Sequence, residues 1–175
     1  MRVVLHTSSA EWPKTFADEA RRIERALAGI EVGVHHTGST SVPGLRAKPI
    51  IDITMTVPDS TDEQAYLPAL AEAGYEFVLR EPEWFEHRLF KRLAPNVNLH
   101  VFTVGSPEVD RMLLFRDHLR TNDRDRELYQ STKAALAARE WSTVQDYADA
   151  KSDVVAVILA RATCDRDLGS ARMID

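Results

Sequence analysis

The chain has 175 residues, enough for one domain with its own hydrophobic core. Apolar residues make up 44% and charged residues 28%, and 22 Lys+Arg against 27 Asp+Glu leave a net charge of −5. This balance excludes a strongly basic nucleic-acid footprint, while the single cysteine, Cys164, excludes an internal disulfide and disfavours a structural zinc site.

The first element is a helix. Ser9, Glu11 and Pro13 mark its start, Phe16, Ala20, Ile23 and Leu27 recur on one face, and Gly29 is its expected stop. From Val32 to His36 the period changes to two, which predicts a short strand running into the segment from Thr37 to Gly44. A second strand covers 50–57: Ile51, Ile53, Met55 and Val57 share one face, and Asp52, Thr54 and Thr56 the other. Ser60 and Glu63 predict a capping box opening a helix to about Ala73, with Pro68 kinking it or breaking its first turn. Strands follow at Tyr75–Arg80, His87–Leu93 and Val97–Thr103, the last two as a hairpin around Ala94, Pro95 and Asn96.

The remainder reads as helical. Met112, Phe115 and Leu119 form one stripe, Leu128 and Leu136 belong to the next, and a Ser142…Gln145 capping box is expected to open a last helix bearing Tyr147, Val154, Ile158 and Leu159. The fold class is therefore α+β (mixed α/β): one mixed sheet flanked by helices, with a helical C-terminal third. The expected organisation is a single domain over 1–165 and a tail over 166–175. The longest apolar run, 154–160, is far short of a bilayer span and the N-terminus has no signal-peptide pattern, so a cytoplasmic location away from membranes is expected.

Three places could carry chemistry. In the first, Gly38, Ser39, Thr40 and Ser41 follow a strand, as in an anion-binding turn or a plain hydroxyl-rich turn closed by Pro43 and Gly44. The second is Asp52, a carboxylate inside an apolar strand. It either belongs to a polar cleft or accepts hydrogen bonds from the neighbouring Ser/Thr segment. The third is the hairpin, where Asn98 and His100 share a side and the partner strand offers His87, Arg88, Lys91 and Arg92. Arg116 with Arg120, and Tyr147 with Lys151, stand one helical turn apart and could equally form solvated faces.

The passage HHTGSTSVPGLRAKPIIDI (35–53), with LHVF (99–102) and LLFRDHLR (113–120), resembles the GrpB-like family of the nucleotidyltransferase-fold superfamily. The superfamily pattern is a Gly-Ser turn, about a dozen residues, then Asp-x-Asp/Glu on a strand. Here twelve residues separate Gly38-Ser39 from Asp52, but the second carboxylate is replaced by Thr54. The resemblance implies a nucleotidyltransferase-like fold and, in an active member, transfer of a nucleoside monophosphate to a small acceptor. Asp52 and His100 become the expected catalytic and metal-ligating residues. Gly38, Ser39, Thr40, Ser41, Lys48, Arg88, Lys91, Arg116, Arg120, Tyr147 and Lys151 become the expected phosphate or substrate contacts. With one strand carboxylate, Mg²⁺ or Mn²⁺ is expected only together with nucleotide. Other candidates for a second ligand are Asn98, Glu81, Glu83 and Glu86. The expected partner is a nucleotide or, since related domains occur fused to dephospho-coenzyme A kinase, a coenzyme A-like molecule, rather than an extended nucleic acid. The alternative is a binding module without catalysis.

Overall fold

In the computed structural model, which describes residues 2–171, the polypeptide opens with helix α1 (Glu11–Ala26). Strand β1 (Gly33–Thr37), a 3₁₀ turn (Ser39–Ser41) and strand β2 (Ile51–Val57) follow. Helix α2 (Glu63–Glu72) leads into strands β3 (Glu76–Glu81), β4 (His87–Arg92) and β5 (Val97–Thr103). Four helices complete the described chain: α3 (Pro107–Thr121), α4 (Asp123–Ala137), α5 (Val144–Asp149) and α6 (Ser152–Ala171).

The strands form one open sheet in the order β1-β2-β5-β4-β3. The β2–β5 pairing is parallel and the other three are antiparallel, so the sheet is mixed, as its sequence class requires. Alternation sets what each face does. Ile51, Ile53, Met55 and Val57 are all buried with Leu99, Val101 and Phe90, in a core that Trp12 and Ile23 of α1 and Tyr66 and Leu70 of α2 complete. The opposite face carries Asp52 and Thr54 beside Asn98 and His100, because the parallel register pairs Asp52 with Asn98 and Thr54 with His100. That face lies beneath the C-terminal helices, whose own core joins Leu119, Tyr129 and Ile158 to Val42 and Leu45 of the loop after the 3₁₀ turn.

Local signals were outbid in several places. Helix α2 begins at Glu63 instead of Ser60, because the Ser60 hydroxyl bonds the Glu86 carbonyl (2.9 Å) and Thr103 (2.9 Å) and caps nothing. That later start puts Pro68 at the sixth helical residue, and the helix continues through it, giving up the bond to the Gln64 carbonyl. The capping box near 142 is made by Thr143 and Asp146, one residue later than expected, and it opens only the short α5. The single expected C-terminal helix is thus two, and α6 runs past position 165 to Ala171; residues 172–175 of the expected tail lie outside the described residues. The 93–96 turn contains a cis Ala94–Pro95 bond and joins Arg92 to Val97 in register.

Candidate functional site

The cleft is built where β1 ends and β2 begins. Antiparallel register sets Thr37 opposite Asp52, so the chain reversal after Thr37 lands directly on the Asp52 side chain. Gly38 makes that reversal at φ +66°, ψ −174°, a region essentially reserved for glycine, and a Cβ there would stand 2.8 Å from the Asp52 Cβ. The turn is then closed by the Ser41 hydroxyl donating to the Gly38 carbonyl (2.6 Å). Thr40 is buried beneath it, donating to the Ile50 carbonyl (3.0 Å) and bonding His36 Nε2 (3.1 Å). Burial, aided by the Arg120 and Arg116 charges, pushes His36 down to about 4, so the ring is neutral at pH 7.

Gly38, Ser39 and Asp52 open onto a cleft of about 460 Å³, which fits one small ligand. One wall is the sheet, with Asn98 and His100; the other comes from α3, α5 and α6, including Met112, Tyr147 and Lys151. Asp52 Oδ1 accepts from Asn98 Nδ2 (2.9 Å) and stands 4.0 Å from His100 Nε2, and the carboxylate side chain is 30% exposed to the cleft. Lys133 reaches in from α4: its buried Nζ donates to Ser39 Oγ (2.9 Å) and to the Arg46 carbonyl (2.5 Å). Burial, then the Lys151 and Lys48 charges, lower Lys133 to about 7, with Asp52 acting the other way. Burial and Lys48 lower Lys151 as well. Lys48 and Lys151 both stand against the Tyr147 ring, at 5.7 and 4.8 Å from its centroid. The arrangement is a basic recess beside a Gly-Ser turn, with Asp52 at the turn and Glu108 paired to Arg111 on the α3 wall (2.9 Å).

The expected residues do not all converge. Gly38, Ser39, Thr40, Lys48, Asp52, His100, Tyr147 and Lys151 do line this cleft. Arg116 lines a smaller recess that shares Gly38, Ser39, Asp52 and Lys151 with the cleft, and its Nη1 donates to the His36 carbonyl (3.1 Å). Arg120 donates twice to the Ser41 carbonyl (3.0 and 2.8 Å), so these two arginines of α3 hold the backbone around the turn. Ser41 turns its hydroxyl back onto Gly38. Lys91 shares the Asn98 face of the sheet but sits at its exposed rim.

Arg88 is a correction. Being even-numbered on β4, it points to the opposite, core-side face, where its guanidinium pairs with Glu63 (2.6 Å) and Glu86 (3.1 Å). It does not reach the cleft. A second correction concerns β2. Thr54 does point to the Asp52 side, but α3 seals it: it is fully buried, bonded to Thr37 Oγ1 (2.8 Å) and against Met112 Sδ (3.4 Å). Thr56, on the same face of the strand, bonds the Gly33 amide at its far end (3.2 Å). Glu81 bonds His87, Glu86 bonds Arg88 and Glu83 is exposed; none of the three lines the cleft, where Asn98 and His100 stand beside Asp52.

Lys133 was not singled out from sequence. The signal was present: Tyr129, Lys133 and Leu136 share one helical stripe, so the lysine had to point inward with its apolar neighbours. Among the described residues no group of three or more His, Cys, Asp or Glu side chains is placed to hold a metal. Asp52 alone could hold an ion that draws its other ligands from water and substrate, as Mg²⁺ does, whereas Asp52 together with His100, 4.0 Å away, would suit an imidazole-preferring ion such as Zn²⁺ or Ni²⁺. No helix among the described residues is long and apolar enough to cross a membrane.

The mixed sheet and its flanking helices form a nucleotidyltransferase-like fold, as a likeness to a solved structure shows. The Cid1 poly(U) polymerase, solved with Mg and 3'-dATP, superposes with a TM-score of 0.50 at 14% identity, covering 74% of this chain and 43% of that one. The chain belongs to the GrpB protein family, whose model matches residues 2–161. A UPF0157 protein of Halalkalibacterium halodurans is 55% identical over 86% of this chain and 77% of its own. One of Streptomyces coelicolor is 48% identical over 93% and 85%. The crystal structure of the conserved protein GrpB from Enterococcus faecalis matches with a TM-score of 0.81 at 26% identity, over 93% of this chain and 99% of that one.

Proposed function

We propose that the protein transfers a nucleoside monophosphate from a nucleoside triphosphate to a small-molecule acceptor. The observation that carries this reading is the placing of Lys133 Nζ on Ser39 Oγ, within the turn that abuts Asp52, in a cleft shared with Lys48 and Lys151. Backbone N–H groups of such a turn and converging ammonium groups suit a polyphosphate, which an acidic protein must attract locally. In this reading the Gly38–Ser39 turn and the three lysines hold the phosphates, and Tyr147 braces two of those lysines. Asp52, with His100 nearby, would hold a divalent cation together with the phosphates, and that ion would offset charge developing during transfer. His100 Nε2, 4.0 Å from the Asn98-bonded carboxylate, would accept a proton from the attacking group directly or through one water.

Thr54 favours a second reading, a nucleotide- or coenzyme A-binding module without catalysis. Its hydroxyl is buried and bonded, so it supplies no second carboxylate and has no access to an ion. Thermal-shift measurements with nucleoside triphosphates and coenzyme A, with and without Mg²⁺ or Mn²⁺, test the two, because a ligand specific to the native state raises the melting temperature. Transfer predicts stabilisation by triphosphate that needs the cation and release of pyrophosphate with an acceptor. Cation-independent stabilisation without turnover favours the module, and no stabilisation by either ligand removes both.

A further inference from the structure

His100 does not end the polar network that begins at Asp52. Its Nδ1 lies 3.0 Å from His87 Nε2, and His87 Nδ1 lies 2.8 Å from Glu81 Oε2. His87 is 1% exposed, wedged against Trp84 and Phe102 and nearly parallel to the His100 ring; Glu81 is half-exposed on the edge strand β3. Burial, then the neighbouring His100 and Arg88 charges, push His87 down to about 3, and burial lowers His100. An imidazolium sealed between Trp84 and Phe102 would lose its water shell, so His87 carries one N–H, and two N–H groups cannot meet across its 3.0 Å contact with His100.

Hydrogen-bond direction then follows from the outer end. An ionised carboxylate can only accept, so His87 must donate from Nδ1 and keep its lone pair on Nε2. That lone pair must receive a donor, and the atom facing it is His100 Nδ1. His100 is left with a bare Nε2, and this nitrogen is the one 4.0 Å from Asp52 Oδ1. We propose that Glu81 and His87 are positioning residues that fix the proton of His100 on Nδ1 and turn its Nε2 lone pair toward Asp52. Two acceptors then face each other across the cleft edge with no proton between them. Such a gap takes a group that brings its own proton, a hydroxyl or an amine, or a cation. The importance of this slot for transfer rests on the function proposed above; the tautomer itself does not.

The test is a long-range proton–nitrogen correlation spectrum of the imidazoles, recorded at neutral pH on isotope-labelled protein free of metal and nucleotide. Wild type is expected to show a pyridine-like Nε2 and a pyrrole-like Nδ1 for His100. Glu81→Ala removes the fixed acceptor, and Glu81→Gln supplies an amide that can donate to His87 Nδ1 and reverse the chain. The half-exposed position of Glu81 leaves the core intact in both. Both variants are expected to shift His100 toward the Nε2–H form. A wild-type His100 protonated on Nε2, or unchanged tautomers in both variants, overturns the proposal without bearing on nucleotide transfer. Where transfer is observed, Glu81→Gln is expected to lower kcat about tenfold with the KM for nucleotide unchanged, the size of effect typical for residues that orient a site histidine.

Discussion

On the face of the sheet covered by α1 and α2, buried charges meet their counter-charges. Glu19 takes Arg92 (2.7 Å) and the Tyr75 hydroxyl (2.6 Å), and Glu63 takes both Arg80 and Arg88. On the face under α3, Lys48, Lys133 and Lys151 converge beside Asp52, and burial, reinforced by their mutual repulsion, lowers Lys133 and Lys151. The first face is arranged for stability and needs nothing further. The second holds an excess of positive charge at a cost in stability, a cost that the proposed anionic ligand would relieve. The difference shows that an arginine's worth as a phosphate contact depends on which side of the pleat it takes: one residue's shift in parity separates Arg88 from Lys91.

The sharpest break in this comparison comes from the packed face. Phe90 is fully buried between Tyr66 and Phe77, and Phe90→Ala is expected to cost about 4 kcal/mol in chemical denaturation. Next is Thr54→Asp, which would restore the second carboxylate of the superfamily pattern. Because position 54 is sealed under Met112, an added charge is buried without a partner and should cost about 3 kcal/mol, with no gain in cation affinity. Stronger Mg²⁺ binding in that variant would show that α3 moves aside. Arg88→Met should cost about 2 kcal/mol, less than a fully orphaned buried pair, since Glu63 keeps Arg80. Its nucleotide affinity should equal wild type, which binding measurements on the folded variant would check.

The smallest effect belongs to Lys133→Met, expected to weaken triphosphate binding about tenfold, roughly 1.4 kcal/mol. It also carries a pH signature. Lys133 is lowered to about 7 in the fold against 10.5 for the free side chain, so between those values the unfolded chain holds more protons. Wild-type stability should therefore gain as pH rises from about 7 toward 10.5, and Lys133→Met should flatten that rise. An unchanged slope would show that Lys133 is not lowered in the fold.

The fold was legible because alternation is decided locally: Ile51 to Val57 declared both faces of β2, and the Asn98–His100 pairing followed from the same period. The Gly38–Ser39 turn and Asp52 were legible by spacing, and the register of β1 with β2 explains that spacing, since Thr37 opposes Asp52. What escaped was set by distant partners. Nothing near Ser60 announces that its hydroxyl belongs to Thr103 and the Glu86 carbonyl. Arg88 was assigned by proximity on the hairpin, when parity alone already placed it on the Phe90 side. Arg116 and Arg120 were rightly paired one turn apart, but their carbonyl partners, His36 and Ser41, lie about eighty positions away in sequence. Lys133, the group that ties the helical third to the Gly38–Ser39 turn, was concealed as an ordinary member of a helix stripe.

The most direct measurement is titration calorimetry of a nucleoside triphosphate into wild type and Asp52→Ala, each with and without Mg²⁺. Asp52 is partly exposed and bonded only through Asn98 among the hydrogen bonds of its carboxylate in the described residues, so its removal should leave the fold intact. The account predicts tight binding by wild type only with Mg²⁺, and loss of that cation dependence in Asp52→Ala. Equal affinity in both proteins, unaffected by the cation, would contradict it.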